Sequence, residues 1–358
     1  MLVLMYYISM RIIKGVGEFF ALDIGTNAIR VVELSGDAKS GWSLKHFAYT
    51  PVDKAVTQDN SENGKAKLGE AIMAAIQQSG TKTKNVALSL PTAKAFTTII
   101  EVPNQPLEEL GKLVHYQADQ FIPMAMDDAE MDWAPLGTSL SDPNKQDVLL
   151  ASTAKDYAEA RMEDMEKLGL NVVAMEPDSI SIARSLMPVG ATDARLVLDM
   201  GESSTDMAIV YGNAIRLVRA VPGGLSGMAR SVAATLNVAD DQARQFILKF
   251  GLAQDKLEGH VFQALSPVLE SFSTELSKSI KFFENKYPTI KVGGISLSGH
   301  AGQIPFVSEY VEAKTGVPTQ QGNPWQLVRV TPEQQQSLAP VAMEFAVAIG
   351  LAERENKL

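Results

Sequence analysis

Two stretches of the chain share one pattern of apolar and polar residues. Residues 19–34 read FFALDIGTNAIRVVEL, in which an apolar run ends at Asp23, a turn is centred on Gly25 and a second β-branched run starts at Ile29. Residues 195–210 read RLVLDMGESSTDMAIV and repeat this plan about half a chain later. Each stretch predicts a strand, a tight turn and an antiparallel return strand.

Helices are predicted where apolar residues recur at three- and four-residue steps. Leu68, Ile72 and Ile76 predict an amphipathic helix that Gly80 ends. A longer apolar stripe predicts a helix over 266–287, and a final helix is predicted over 339–352. The apolar residues of the long stripe are Leu269, Phe272, Leu276, Ile280, Phe283 and Tyr287.

Between the two repeats, residues 85–175 alternate between strand and helix patterns. VALSLP, FTTIIEVP, MDWAPLG and DVLLAST are typical of strands, and Val172–Met175 is a further one. Helical spacing follows Pro106 and Lys155. This order predicts a compact α+β insert with its own small core.

Composition narrows the class of protein. With 358 residues, the chain is long enough for two or three domains, and 46% hydrophobic and 21% charged residues are typical of an ordinary globular protein. The net charge of −10 argues against nucleic acid as the main partner, because phosphate backbones require basic surfaces. The absence of cysteine excludes thiol nucleophiles and Cys-ligated zinc, and the four histidines are scattered. No P-loop motif is present.

The N-terminal segment MLVLMYYISMRII is apolar for about thirteen residues. It is shorter than the ~20 residues that span a bilayer, and it lacks the basic start and small-residue cleavage site of a signal peptide. A flexible or surface-packed tail, an upstream in-frame start and a weak membrane-surface helix are the alternatives, of which we favour the first two. The sequence therefore predicts a cytosolic protein.

The repeated turns carry the candidate chemistry. Gly25 would let a ligand approach the backbone, Thr26 and the following amides could donate to a phosphate, and Asp23 could hold a hydrated cation. One such turn alone is more often a buried structural hairpin. A second turn with an aspartate, a glycine and adjacent hydroxyls favours a pair of phosphate-binding hairpins; its residues are Asp199, Gly201, Ser203, Ser204 and Thr205.

Two further positions are candidates by their place in the chain. Gly223 and Gly224 precede a predicted helix, where they suit either close approach of a phosphate to helix amides or a plain flexible turn. Glu176 lies at a strand-to-helix corner, where it could pair with the helix dipole or orient a water molecule.

In this order, the motifs resemble those of the actin-like ATPase superfamily. DIGT is similar to the phosphate-1 motif, EP at 176–177 to the first connecting helix, DMGESSTD to phosphate-2 and SLSGHAGQIP to the adenosine motif. DnaK-type chaperones, FtsA and PilM share this layout. The PilM family of type IV pilus assembly proteins resembles the chain most closely over residues 18–354, through EVPNQPLEELGKLVHYQADQFIP, DDAEMDWAPLG, EPDSISIAR, VPGGLSG, ELSKSIKFF, GNPW and APVAMEFAVAIGLAER.

The resemblance implies an α/β, ribonuclease H-like fold of two duplicated domains with an FtsA/PilM-type α+β insert. It implies an N-terminal tail over 1–17, subdomain 1A over 18–84 and 176–194, and subdomain 1C over 85–175. Subdomain 2A would then cover 195–222 and 288–358, and subdomain 2B would cover 223–287.

The resemblance also implies a site for ATP and Mg²⁺. The residues facing the phosphates would be Asp23, Gly25, Thr26 and Asn27 from one side and Asp199, Gly201, Ser203, Ser204, Gly223 and Gly224 from the other. Asp23 and Asp199 would hold Mg²⁺ through water, and Glu176 would be the catalytic carboxylate. Glu275 and Lys278 would contact the ribose and base, with Gly299 under the adenine. His300 replaces a usual glycine, where it either stacks on the base or crowds it; we favour crowding.

Three functions are compatible with the resemblance. The first is a cytoplasmic pilus-assembly scaffold that binds ATP·Mg²⁺, hydrolyses it slowly at most, and reaches the inner membrane through its partner. A turning-over ATPase or sugar-kinase relative and an FtsA-like filament protein are the alternatives. In the PilM family, the N-terminal cytoplasmic peptide of the membrane protein PilN lies between subdomains 1A and 1C. Here the insert strand, with Phe96, Thr98 and Ile100 alternating with Thr97 and Ile99, is expected to offer an apolar face to that peptide. The alternative is that this face only packs against the first domain.

Overall fold

Three β-sheets organise the part of the chain that the computed structural model describes, residues 17–212 and 214–354. The predicted N-terminal tail, apart from residue 17, lies outside the described residues. The first elements are β1 (Phe20–Ile24), β2 (Ala28–Asp37), β3 (Gly41–Pro51), α1 (Lys54–Thr57), α2 (Glu62–Ser79) and β4 (Asn85–Leu90). The predicted first hairpin is present, because β1 pairs antiparallel with β2.

Local signals set both ends of α2, of which the end at Gly80 is as the sequence predicts. The Ser61 side chain accepts a hydrogen bond from the Gly64 backbone N–H, which satisfies one of the free donors at the helix start. Gly80 ends the helix in the left-handed conformation, with φ of 80°.

The insert is smaller than predicted. Its elements are β5 (Ala95–Pro103), α3 (Leu107–Ala118), β6 (Ala129–Thr138), β7 (Lys145–Ala154) and α4 (Lys155–Lys167), and β8 (Asn171–Pro177) and α5 (Asp178–Leu186) follow. The insert sheet contains β5, β7 and β6 in that order. The predicted insert strands at 86–91 and 172–175 belong instead to the main sheet as β4 and β8, because β4 pairs parallel with both β1 and β8.

The second half repeats the hairpin-first plan. Its elements are β9 (Ala194–Met200), β10 (Ser204–Tyr211), β11 (Ala214–Pro222), α6 (Leu225–Leu236), α7 (Asp240–Phe250), α8 (His260–Lys286), β12 (Val292–Gly299), α9 (Val307–Thr315) and β13 (Thr319–Gln321). These strands form a sheet in the order β11-β10-β9-β12-β13. The predicted long helix is α8, which starts six residues earlier than expected. Among the described residues, no helix is both long and apolar enough to cross a membrane.

The C-terminal segment returns to the first sheet. It contains β14 (Val328–Arg329), α10 (Pro332–Leu338) and α11 (Ala346–Ala352). β14 pairs with β3 at the edge of the six-stranded sheet β14-β3-β2-β1-β4-β8. The assignment of all of 288–358 to subdomain 2A is therefore wrong for the residues from β14 onward, which pack with the first half.

Two helices cross between the main sheets. α5 packs on β9 and β10 of the second sheet, whereas α11 packs on β1, β2 and β4 of the first. At their crossing, a Cβ atom on Gly350 would lie 1.9 Å from the Ser181 carbonyl oxygen. Only glycine fits this contact, so the two halves are joined through a close helix–helix crossing.

The final predicted helix, 339–352, is interrupted. Residues Ala342–Phe345 form a single 3₁₀ turn, and only Ala346–Ala352 are α-helical. Trp325 Nε1 donates to the Ala342 carbonyl at 2.9 Å, and Ser298 Oγ donates to the Met343 carbonyl at 2.8 Å. Side chains from elsewhere in the chain thus satisfy carbonyls that a continuous helix would have bonded internally.

Candidate functional site

The two predicted phosphate turns face one cleft between the sheets. Their glycines make the same backbone bond: Gly25 N–H donates to the Ala28 carbonyl at 3.0 Å, and Gly201 N–H donates to the Ser204 carbonyl at 2.9 Å. The cleft-lining residues of the two turns and their strands include Asp23, Gly25, Thr26, Asn27, Asp199, Gly201, Ser203, Ser204 and Asp206. Residues that are about half a chain apart therefore form one surface.

Three aspartates bring carboxylate oxygens without a hydrogen-bond partner into this cleft. Oδ1 of each of Asp178, Asp199 and Asp206 is buried and has no hydrogen-bond partner among the described residues. Asp199 and Asp206 lie directly opposite each other on β9 and β10. Burial raises the pKa of Asp199 to about 7 and that of Asp206 to about 6. Burial, followed by the charges of neighbouring aspartates including Asp23, raises the pKa of Asp178 well above its usual range. The cleft therefore favours a bound proton or cation.

The aspartates of the cleft fit a hydrated magnesium ion better than a directly ligated one. Within the described residues, no three His, Asp or Glu side chains lie close enough together to hold a metal ion. Mg²⁺ commonly keeps several of its waters, and those waters would donate hydrogen bonds to the unpaired oxygens of Asp178, Asp199 and Asp206. Asp23 is less free: its Oδ2 accepts from Arg30 Nη1 at 3.0 Å, and its Oδ1 accepts from Ser89 Oγ at 3.1 Å.

Arg30 and Glu344 are cleft residues that sequence reasoning missed. Arg30 pairs with Glu344 at 2.7 Å as well as with Asp23. Arg30 could have been predicted from the first hairpin, because the register of β1 and β2 places it directly opposite Asp23. Glu344 had none, since it lies more than 300 positions further along the chain.

A second ion pair borders the cleft near the adenosine motif. Arg244 on α7, which sequence reasoning also missed, pairs bidentately with Glu202; Nη1 donates to Oε2 at 3.0 Å and Nη2 to Oε1. His300 Nε2 lies 3.7 Å from Glu202 Oε2. Burial lowers the pKa of His300, so its imidazole is neutral at pH 7. Gly299, the residue before His300, lies against Met200: a Cβ atom on Gly299 would be 2.4 Å from the Met200 carbonyl oxygen.

Gly223 and Gly224 do not line the cleft; they hold the second turn in place. The Leu225 and Ser226 amides at the start of α6 donate to the carbonyls of Gly201 and Glu202, at 3.1 and 3.0 Å. A Cβ on Gly224 would lie 2.3 Å from the Gly201 carbonyl. These helix amides bind the turn itself, so the predicted contact between them and a phosphate is not present in this arrangement.

Glu176 lies outside the cleft, and this corrects the prediction. Its carboxylate is fully buried and accepts from both terminal nitrogens of Arg184, at 2.8 and 3.0 Å, and from Ser181 Oγ at 2.7 Å. Asp178, two residues later at the start of α5, lines the cleft instead. The strand-to-helix corner was predicted correctly, but the side chain that points into the cleft was not.

Glu275 and Lys278 also lie outside the described cleft lining. They pair with each other at 2.7 Å on the exposed surface of α8. Arg244 is the residue of this helical region that reaches the cleft. The predicted contacts of Glu275 and Lys278 with a ribose and base are therefore not supported by their positions.

Comparisons with known proteins place the chain in a family. A family model described as "Type IV pilus assembly protein PilM" matches residues 21–356. A structure titled "PilM-PilN type IV pilus biogenesis complex" contains a chain 24% identical, with a TM-score of 0.79 over 96% of this chain and 99% of that one.

Two further solved structures share the fold. The ethanolamine utilization protein EutJ from Carboxydothermus hydrogenoformans is 14% identical, with a TM-score of 0.55 over 94% of this chain and 90% of EutJ. MreB5 of Spiroplasma citri, bound to AMPPNP, is 11% identical, with a TM-score of 0.52 over 93% of this chain and 94% of MreB5. The fold is thus the predicted actin-like one, and the family match covers nearly the whole chain. The chain belongs to the PilM family of type IV pilus assembly proteins.

Proposed function

We propose that this protein is a cytoplasmic scaffold of the type IV pilus assembly machinery that binds ATP·Mg²⁺ and docks a PilN-like protein at the inner membrane. One observation carries the nucleotide part of the proposal. Two facing Asp-x-Gly turns enclose three buried aspartate oxygens that have no partner among the described residues. A cation with its phosphate ligand would neutralise this charge, whereas an apolar ligand would not.

The residues of the cleft divide into distinct roles. Thr26, Asn27, Ser203 and Ser204 would donate to phosphate oxygens, and Asp199 would hold the waters of Mg²⁺. The ion, when bound, supplies positive charge that neutralises the phosphates. Asp178 is the carboxylate placed to orient a water molecule, in the role that sequence reasoning gave to Glu176. Because we identify no general base beyond this one carboxylate, we expect slow hydrolysis.

Calorimetric titration of ATP with and without Mg²⁺ tests this site. Asp23→Ala and Asp199→Ala should each abolish Mg²⁺-dependent binding. Asp199 supports the cation, and Asp23 holds Arg30 beside the first turn. Both variants must first show a native circular dichroism spectrum. Unchanged ATP affinity in two folded variants would contradict the assignment.

The partner is proposed from a second groove, between α2 of the first half and α4 of the insert. Its floor is apolar, with Leu68, Ile72 and Met165, and charged residues border it, among them Lys65 and Arg161. A Cβ on Gly69 would lie only 3.0 Å from Leu168, so the glycine allows the helices to approach closely. An apolar floor with a charged rim suits a short peptide with a few apolar anchors. The solved PilM–PilN complex supports a PilN-like protein as the partner, and the apolar floor and charged rim are the reason for proposing this groove as its dock.

The insert strand expected to dock the peptide has both faces covered. Ile100 packs in the insert core with residues of α3, and Phe96 packs against the same core. Ile99, on the opposite face, packs against the core of the main body. The sheet therefore separates two cores, and the apolar surface predicted on β5 is largely used within the chain.

The peptide groove can be blocked without touching a buried side chain. Ala66 is an exposed residue of α2 that lines the groove, and Ala74 is an exposed residue of the same helix that does not. Ala66→Trp should reduce the affinity for a fluorescently labelled N-terminal cytoplasmic peptide of PilN at least tenfold, and Ala74→Trp should leave it unchanged. Equal binding by both variants would place the peptide elsewhere. Deletion of the insert is a poorer test, because removing residues 85–170 would also remove β4 from the centre of the main sheet.

A further inference from the structure

Arg30 is held between two carboxylates at the cleft. Its Nη1 donates to Asp23 Oδ2 at 3.0 Å, and its Nη2 donates to Glu344 Oε2 at 2.7 Å. The Tyr49 hydroxyl donates to the same Glu344 oxygen at 2.8 Å, and the guanidinium lies 5.4 Å from the centroid of the Tyr49 ring. The side chains of Arg30 and Glu344 are only 13% and 11% exposed, so water screens this ion pair weakly.

Glu344 lies in the segment that connects the two halves. The residue before it, Met343, contacts the second half, since its carbonyl accepts from Ser298 Oγ at 2.8 Å. The residue after it, Phe345, packs in the core of the first half, with its ring 6.1 Å from that of Tyr49. The Arg30–Glu344 ion pair therefore ties the first phosphate turn to the 3₁₀ turn, 342–345, between the halves.

Arg30 also covers the surface that a phosphate would approach. Its Nη1 lies 2.7 Å from the position that a Cβ would take on Gly25, so the guanidinium rests on the glycine of the turn. Its Nε is buried and has no partner among the described residues. Guanidinium groups bind phosphate through two parallel hydrogen bonds, and one terminal nitrogen and Nε form such a pair.

We propose that the phosphate of a bound nucleotide takes Arg30 from Glu344 and thereby loosens the 3₁₀ turn, 342–345, between the two halves. This inference rests on the proposed nucleotide binding and adds its consequence for the chain. The exchange replaces one anion beside the guanidinium by another. The nucleotide must therefore compete with Glu344, and the cost of leaving Glu344 without its cation opposes binding. Nucleotide affinity and the order of the turn are coupled in this way.

Calorimetry of ATP binding in the presence of Mg²⁺ tests the competition. Glu344→Gln keeps the shape of the side chain but removes the competing charge, so it should tighten ATP binding at least about fivefold, the lower end of typical coupling. Arg30→Lys keeps the charge but loses the planar fork and should weaken binding by a similar factor. Glu270→Gln is the matched control, since it removes the same charge from an exposed pair with Lys314 outside the cleft and should change nothing.

Hydrogen exchange of the amides at 342–346 tests the consequence. In the absence of ATP, Glu344→Gln should exchange faster there than the unaltered chain, and ATP should raise exchange in the unaltered chain toward the same level. If ATP binds but Glu344→Gln shows no gain in affinity, or if ATP protects these amides from exchange, this inference is overturned. Either result would leave the proposed function intact. Absence of ATP binding in all variants would overturn both.

Discussion

Replacing Asp199 by asparagine should stabilise the ligand-free protein in a pH-dependent way. An ordinary aspartate has a pKa of 3.8, and burial, with smaller repulsion from Asp206 and Asp23, raises the pKa of Asp199 to about 7. Since each pKa unit corresponds to about 1.4 kcal/mol, the ionised carboxylate costs at most about 4 kcal/mol, less whatever the cleft water screens.

The sign follows from proton linkage. Between pH 4 and pH 7, the folded state holds a proton on Asp199 that the unfolded chain has released. The free energy of unfolding therefore falls as the pH rises through this window and is constant above it. Asp199→Asn abolishes this loss, because an amide carries no charge at any pH. The free energy of unfolding of Asp199→Asn should exceed that of the unaltered chain by up to about 4 kcal/mol at pH 8 and by close to zero at pH 4.

Urea unfolding followed by circular dichroism, in EDTA and without nucleotide, measures this difference at several pH values. Asp255→Asn is the matched control: Asp255 is an exposed carboxylate paired with Lys256, and its replacement should change stability by less than about 0.5 kcal/mol. A gain for Asp199→Asn that is equal at pH 5 and pH 8, or a loss at pH 8, would refute the reasoning. Mg²⁺ with ATP should stabilise the unaltered chain and leave Asp199→Asn nearly unaffected.

Four further outcomes are expected. Asp178→Asn should slow phosphate release, which we expect to be far below the ~10 s⁻¹ median of enzymes, and should raise the free energy of unfolding at pH 8, because burial raises the pKa of Asp178 as it does that of Asp199. Glu176→Gln should instead lower the free energy of unfolding by about 3–5 kcal/mol, because it breaks a buried ion pair. His300→Gly should tighten ATP binding in calorimetry if the imidazole crowds the base, and weaker binding would mean that it stacks. Gly224→Ala should destabilise the protein by about 1–3 kcal/mol in urea unfolding through a clash with the second phosphate turn; Gly227→Ala, which meets no atom within 4 Å, should be neutral or stabilising.

Some functional residues could be predicted from short local patterns, whereas others depend on the tertiary structure. The sequence predicted the two turns and their chemistry, because a strand, a glycine and an adjacent hydroxyl act over only a few residues. It predicted the corner after β8 but chose Glu176 over Asp178. At that corner the direction of each side chain depends on whether the partner is Arg184 on α5 or the open cleft, and a linear pattern does not contain this information.

Local patterns by themselves determined the hairpins β1–β2 and β9–β10, the C-terminal end of α2 and the long helix α8. Repeating motifs in order were enough to indicate the family and the duplicated fold. Only the tertiary structure decided that β4 and β8 join the main sheet, that β14 and α11 return to the first half, and that Arg244 and Glu344 reach the cleft. Each of these depends on pairing between segments far apart in sequence, whose energy comes from shared burial and not from the propensities of either segment.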